Sequence, residues 1–85
     1  MANVVIYSKV GCSFCENAKA FFKEQDIAFV IYMVDEDETK FKEMLDLSGG
    51  QRTVPQIFID GQHIGGFERL MELHEQSKLN AMLCR

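Results

Sequence analysis

Val4-Val5-Ile6-Tyr7 is β-branched and aromatic without alternation, the pattern of a short strand covered on both faces. From about Ser13 to Gln25 the spacing turns helical, with Cys15, Ala18 and Phe22 at i, i+3 and i+7 and Lys19, Lys23 and Glu24 among the polar positions. Phe29 to Val34 is a second apolar run of strand length. A helix between two such strands predicts a right-handed crossover with the strands parallel. Asp35-Glu36-Asp37-Glu38 places negative charge where a helix N-terminus favours it and reads as a solvated cap. The helix that follows has Phe41, Met44 and Leu45 as its apolar stripe, and Ser48-Gly49-Gly50 ends it.

In the second half, Gln56 to Ile59 and His63-Ile64 flank Asp60-Gly61, a two-residue hairpin signal favouring positive φ in a primed turn. Gly65-Gly66 opens a last helical stretch with Phe67, Leu70, Met71 and His74 on one face, followed by Leu79, Met82 and Leu83. The order β-α-β-α-β-β-α, without repeats or linkers, predicts an α/β fold: a mixed four-stranded sheet flanked by helices, one domain over residues 1–85.

Composition narrows the function. The chain is 47% hydrophobic with seven Phe, enough to fold without a partner. A formal net charge of -4 and the lack of any Lys/Arg run argue against a nucleic-acid surface and against anionic membranes. The apolar stretch near the N-terminus is too short for a signal-peptide core or a membrane span, so a cytoplasmic location is expected. Three cysteines do not make a disulfide framework, and the cytosol would reduce structural bridges. A Cys-x-x-Cys pair in that setting points to catalysis or metal.

The pair is Cys12-Ser13-Phe14-Cys15, between a strand end and a helix start. Unpaired backbone N–H groups and the helix dipole stabilise an anion there, so Cys12 is expected to have a lowered pKa and to be the attacking thiolate, with Lys9 adding positive charge. The i, i+3 spacing brings Cys15 to the same face, where it can resolve a mixed disulfide on Cys12. A zinc site would need two more ligands from His63, His74 and Cys84, and their spacing matches no zinc pattern. Thr53-Val54-Pro55 precedes a strand and contains the chain's one proline; spacing alone does not establish a cis bond.

Together with Ile6-Tyr7-Ser8-Lys9, Ala18-Lys19, Ser48-Gly49, Arg52 through Gly61 and His63-Ile64-Gly65-Gly66, these motifs resemble the glutaredoxin family from about Asn3 to about Leu79. The resemblance implies a thioredoxin fold in which a cis Val54-Pro55 bond faces Cys12. It also implies glutathione bound strand-like along the Val54 backbone beside Thr53 and Pro55, as reducing co-substrate. Lys9 and Arg52 would hold its glycine carboxylate, the Gly66-Phe67-Glu68 helix start its γ-glutamyl carboxylate, and Phe14 would pack against it. The expected activity is glutathione-dependent reduction of protein disulfides and glutathione mixed disulfides by a monomer, with disulfide-bonded or glutathionylated proteins as partners and no metal.

Ser13, Phe14 and Arg69 depart from the commoner family residues, and the Gly49-Gly50-Gln51-Arg52 loop is one residue longer than usual. A small residue at position 13 accompanies a glutathione-ligated [2Fe–2S] cluster between two subunits in some members, which is the alternative of a different class. A further alternative is a dedicated hydrogen donor to an enzyme such as a ribonucleotide reductase.

Overall fold

In the computed structural model, which describes residues 2–83, the chain runs β1 (Val4–Ser8), α1 (Ser13–Glu24), β2 (Val30–Met33), α2 (Glu38–Leu47), β3 (Gln56–Ile59), β4 (Gln62–Gly65), α3 (Phe67–Glu75) and α4 (Leu79–Met82). The four strands form one sheet in the order β2-β1-β3-β4. β1 is parallel to β2, with Ile6 opposite Ile31, and antiparallel to β3, with Ile6 opposite Ile57; β3 and β4 form an antiparallel hairpin. Its turn has φ of 50° at Asp60 and 81° at Gly61, the primed geometry expected of Asp-Gly.

The unalternating hydrophobicity of β1 and β3 follows from this layering. Val4, Ile6, Ile57 and Ile59 join a core with Ala18 and Phe22 of α1, Leu70 and Leu73 of α3, and Leu79 of α4. Tyr7 and Phe58 project to the opposite face and pack with Met44 of α2, flanked by Val5, Tyr32, Phe41 and Val54. The central strands therefore need apolar side chains at successive positions, whereas β2 is an edge whose Val30 is 42% exposed. The strand expected over Phe29 to Val34 is correspondingly trimmed; Phe29 lies outside it, with its ring centroid 6.1 Å from that of Phe22.

Three helices end in the same way. After α1, Asp26 takes φ 58°, and the Ile27 N–H donates to the Phe22 carbonyl at 2.9 Å. After α2, Gly49 takes φ 73° and the Gly50 N–H reaches the Leu45 carbonyl at 2.7 Å; after α3, Ser77 takes φ 61° and the Lys78 N–H reaches the Leu73 carbonyl at 3.0 Å. Each is a left-handed C-terminal cap with a long back-bond. The cap at Ser77 divides the last helical stretch of the sequence into α3 and the short α4.

The buried face of α3 also differs from the sequence reading. Leu73 joins Leu70 in the core, while His74 is exposed and sets its ring edge-on to Phe21 at 5.0 Å. Within the acidic run, Asp37 is the cap of α2, its Oδ1 accepting from the Thr39 and Lys40 N–H groups at 3.0 and 3.2 Å. Asp35 is not part of that cap: its Oδ2 accepts from the Val10 N–H at 3.1 Å and so ties the end of β2 to the loop after β1. Among the described residues no helix is long and apolar enough to cross a membrane.

Candidate active site

The loop Lys9-Val10-Gly11 carries the chain from β1 into α1, and Gly11 holds φ 76°, where a side chain would be strained. Cys12 follows in extended conformation as the N-cap of α1: its carbonyl accepts from the Glu16 N–H at 3.1 Å and its Sγ from the Cys15 N–H at 3.1 Å. The sulfur thus takes the place of the hydroxyl or carboxylate oxygen that commonly closes a helix. Cys12 and Cys15 are joined as a disulfide with their Cα atoms 5.2 Å apart. The two ends are unequal. Cys15 is completely buried, whereas Cys12 is partly exposed, so a nucleophile from solvent reaches only the Cys12 sulfur.

The Cys12 Sγ lies 3.7 Å from the carbonyl oxygen of Val54, and the Val54-Pro55 bond is cis. What holds this loop is Gln56, a side chain only 1% exposed at the start of β3. Its Nε2 donates to the Thr53 carbonyl at 3.0 Å and lies 3.2 Å from both Thr53 Oγ1 and Gln51 Oε1. Because the carbonyl can only accept, the amide nitrogen must face Thr53; its Oε1 then faces His63 Nε2 at 2.7 Å, and that nitrogen carries the hydrogen. Farther back, the Ser48 hydroxyl accepts from the Gln51 N–H at 3.1 Å, anchoring the Gly-Gly loop.

Around Cys12 is a groove of about 580 Å³ whose lining includes Lys9, Phe14, Arg52, Thr53 and Val54. Gly11, Ser13, Val34, Asp35 and Phe41 complete it. A second recess, of about 180 Å³, is lined by Pro55, Gly66, Phe67 and Glu68 and shares Phe14, Thr53 and Val54 with the first. Cys12 and the residues that the resemblance assigns to glutathione thus line one or other of two adjoining hollows, while Cys15 is buried and lines neither. Gly66 is the N-cap of α3 and has no side-chain cap, leaving that helix start's N–H groups to face incoming acceptors.

Val34, Asp35 and Phe41 were missed, because the acidic run reads locally as a helix cap and only the parallel pairing of β1 with β2 brings its first residue beside the cysteine loop. Arg69 turns along its own helix, donating from Nη1 to Glu72 Oε2 at 3.0 Å. His63 is taken up by Gln56, His74 packs on Phe21, and Cys84 lies outside the described residues. Among the described residues no three His, Cys, Asp or Glu side chains are grouped to hold a metal.

An accessible sulfur backed by a buried partner at a strand-to-helix junction, on a sheet of this order, defines a thiol–disulfide oxidoreductase with the thioredoxin fold. Comparison with known proteins narrows the class. The family profile described as Glutaredoxin matches residues 4–64. Glutaredoxin 3 of Escherichia coli K12 is 43% identical over 83 residues, 98% of this chain and 99% of its own length. Glutaredoxin 1 of Rickettsia conorii is 36% identical, covering 94% of this chain and 79% of its own. Among solved structures, a buckwheat glutaredoxin–glutathione complex superposes with a TM-score of 0.85 at 34% identity over 95% of this chain and 76% of that one. The solution structure of a Brucella melitensis glutaredoxin gives 0.82 at 35%, over 98% and 89%. The chain belongs to the glutaredoxin family.

Proposed function

We propose that the protein is a glutathione-dependent reductase of glutathione mixed disulfides and protein disulfides, with Cys12 as nucleophile and Cys15 as resolving thiol. The observation that carries this reading is the Cys12 sulfur, 3.7 Å from the Val54 carbonyl, in a recess that shares Phe14, Thr53 and Val54 with the second one. A short peptide lying strand-like along Val54 would meet that sulfur with its own cysteine, which is the geometry of peptide capture by backbone pairing. The buckwheat relative is described in complex with glutathione, which supports the same ligand here. In this reading Lys9 and Arg52 take the glycine carboxylate, the α3 start at Gly66, Phe67 and Glu68 takes the γ-glutamyl carboxylate, and Phe14, Thr53 and Pro55 form the walls.

In the dithiol form the Cys12 thiolate attacks the glutathione sulfur of a mixed disulfide, and the protein thiolate leaves. A second glutathione thiolate then attacks the glutathione sulfur held on Cys12, releasing oxidised glutathione and restoring the thiolate. With a protein disulfide, Cys15 attacks the Cys12 sulfur instead, frees the substrate dithiol and closes the internal disulfide, which two glutathiones reopen.

The test is turnover of a small glutathione mixed disulfide coupled to glutathione reductase and NADPH. Native protein should be active, Cys12→Ser inactive, and Cys15→Ser should keep this activity while losing reduction of protein disulfides. Full activity in Cys12→Ser, or negligible turnover by the native protein, overturns the reading.

A further inference from the structure

Behind Phe14, between the first turn of α1 and the outer face of α3, lies a further groove of about 350 Å³ that shares Phe14, Phe67 and Glu68 with the second recess and continues over Met71, Glu72 and Glu75, which the chemistry above does not use. Its floor is apolar: Phe14 is 61% exposed, its ring centroid 6.3 Å from that of Phe67, with Met71 alongside. Its rim is acidic. Glu68, Glu72 and Glu75 recur along one stripe of α3 at spacings that bring like charges together, an arrangement that weakens an isolated helix. Arg69 pairs with Glu72 alone, so among the described residues Glu68 and Glu75 have no ion-pair partner. Phe14 belongs both to this groove and to the one around Cys12.

We propose that this groove docks the protein substrate, taking a segment in which a large apolar side chain is flanked by Lys or Arg close to the disulfide cysteine. The inference rests on the exchange chemistry assigned to Cys12: Phe14 lines both the groove around that sulfur and this one, so a polypeptide whose sulfur reaches Cys12 can lay its flanking residues across Phe14 into it. Charge complementarity selects the occupant: a cation relieves the mutual repulsion of the stripe, and an anionic segment adds to it. Met71 suits a site that accepts apolar side chains of different shape.

The experiment uses two glutathionylated peptides identical except for flanks of Leu-Lys-Lys or Leu-Glu-Glu, assayed with native protein and the Glu72→Gln/Glu75→Gln double variant. Rim ion pairs are individually weak, so the native protein should favour the cationic peptide by about tenfold in kcat/KM at low salt, chiefly through KM. The preference should shrink as salt rises, because the stripe is exposed. In the double variant it should fall to about twofold, with turnover of a small glutathione mixed disulfide unchanged. A control with the same change in net charge, Glu36→Gln/Asp46→Gln at positions that line none of the three hollows, should keep the native preference.

Equal use of both peptides by native protein that turns over the small compound overturns the docking groove alone. Failure on all three substrates overturns the exchange chemistry and the groove with it. Loss of preference in the control variant would assign the effect to net charge, and a concentration-dependent dimer in sedimentation that the groove variant abolishes would assign the groove to a second copy of the chain; either result overturns the proposal.

Discussion

Tyr7 is 2% exposed at the end of β1, yet its hydroxyl donates a hydrogen bond to Glu43 on α2. Lys40 approaches the same carboxylate at 3.3 Å and sits 3.9 Å from the centroid of the Tyr32 ring. Burial first, then the bond to Glu43 and its charge, push the Tyr7 phenol well above its ordinary value of 10.0. The Tyr7 bond, then Lys40, holds Glu43 below its ordinary 4.5. The signs differ. The Tyr7 contribution is complete below pH 10.0 and is lost only as pH rises through the elevated value; that of Glu43 is complete above 4.5 and is lost as pH falls through the lowered one. Tyr7→Phe should therefore cost about 1 kcal/mol at neutral pH and flatten the fall in stability on acidification, read by urea unfolding between pH 3 and 7. The sequence marks Tyr7 as a core aromatic but not its partner, which lies 36 residues away. Gln56 is a similar case: a polar residue at the head of an apolar strand, its role visible only once the Thr53 loop and His63 fold around it.

Among the elements, the helix ends separate what is legible from what is not. Gly49 announces its stop because glycine adopts positive φ without penalty. Asp26 and Ser77 perform the same turn with side chains that resist it, so the last helical stretch reads as continuous although it breaks after Glu75. Ser77→Gly should raise the unfolding free energy by about 0.5–1 kcal/mol, the relief of left-handed strain less the greater freedom of the unfolded chain. Gly49→Ala should lower it by about 1 kcal/mol, since no neighbouring atom compensates and only the backbone conformation is at issue. Equilibrium denaturation of both variants checks the opposite signs. The primed Asp60-Gly61 turn and the cysteine motif at the start of α1 were legible because both depend on adjacent residues.

For the molecule as a whole, two cores share one sheet, and β1 and β3 supply side chains to each. Met44 is fully buried in the smaller core, so Met44→Ala should cost about 2–4 kcal/mol, a large part of the stability of a domain this size. Unfolding should remain a single transition when followed by circular dichroism and by tyrosine fluorescence, because neither core can open without disturbing strands that serve both. The layer order was readable from strand-length and helix-length apolar runs. The groove walls contributed by Val34, Asp35 and Phe41 were not, since they depend on which strands become neighbours. The sulfur of Cys12 both closes α1 and carries the disulfide, so redox state and folding belong to one thermodynamic cycle. The difference in unfolding free energy between dithiol and disulfide forms equals the difference in driving force for reducing this pair in the folded and unfolded chain. Whatever favours a thiolate at that helix start makes the folded protein a stronger oxidant, and denaturation curves of the two forms measure by how much.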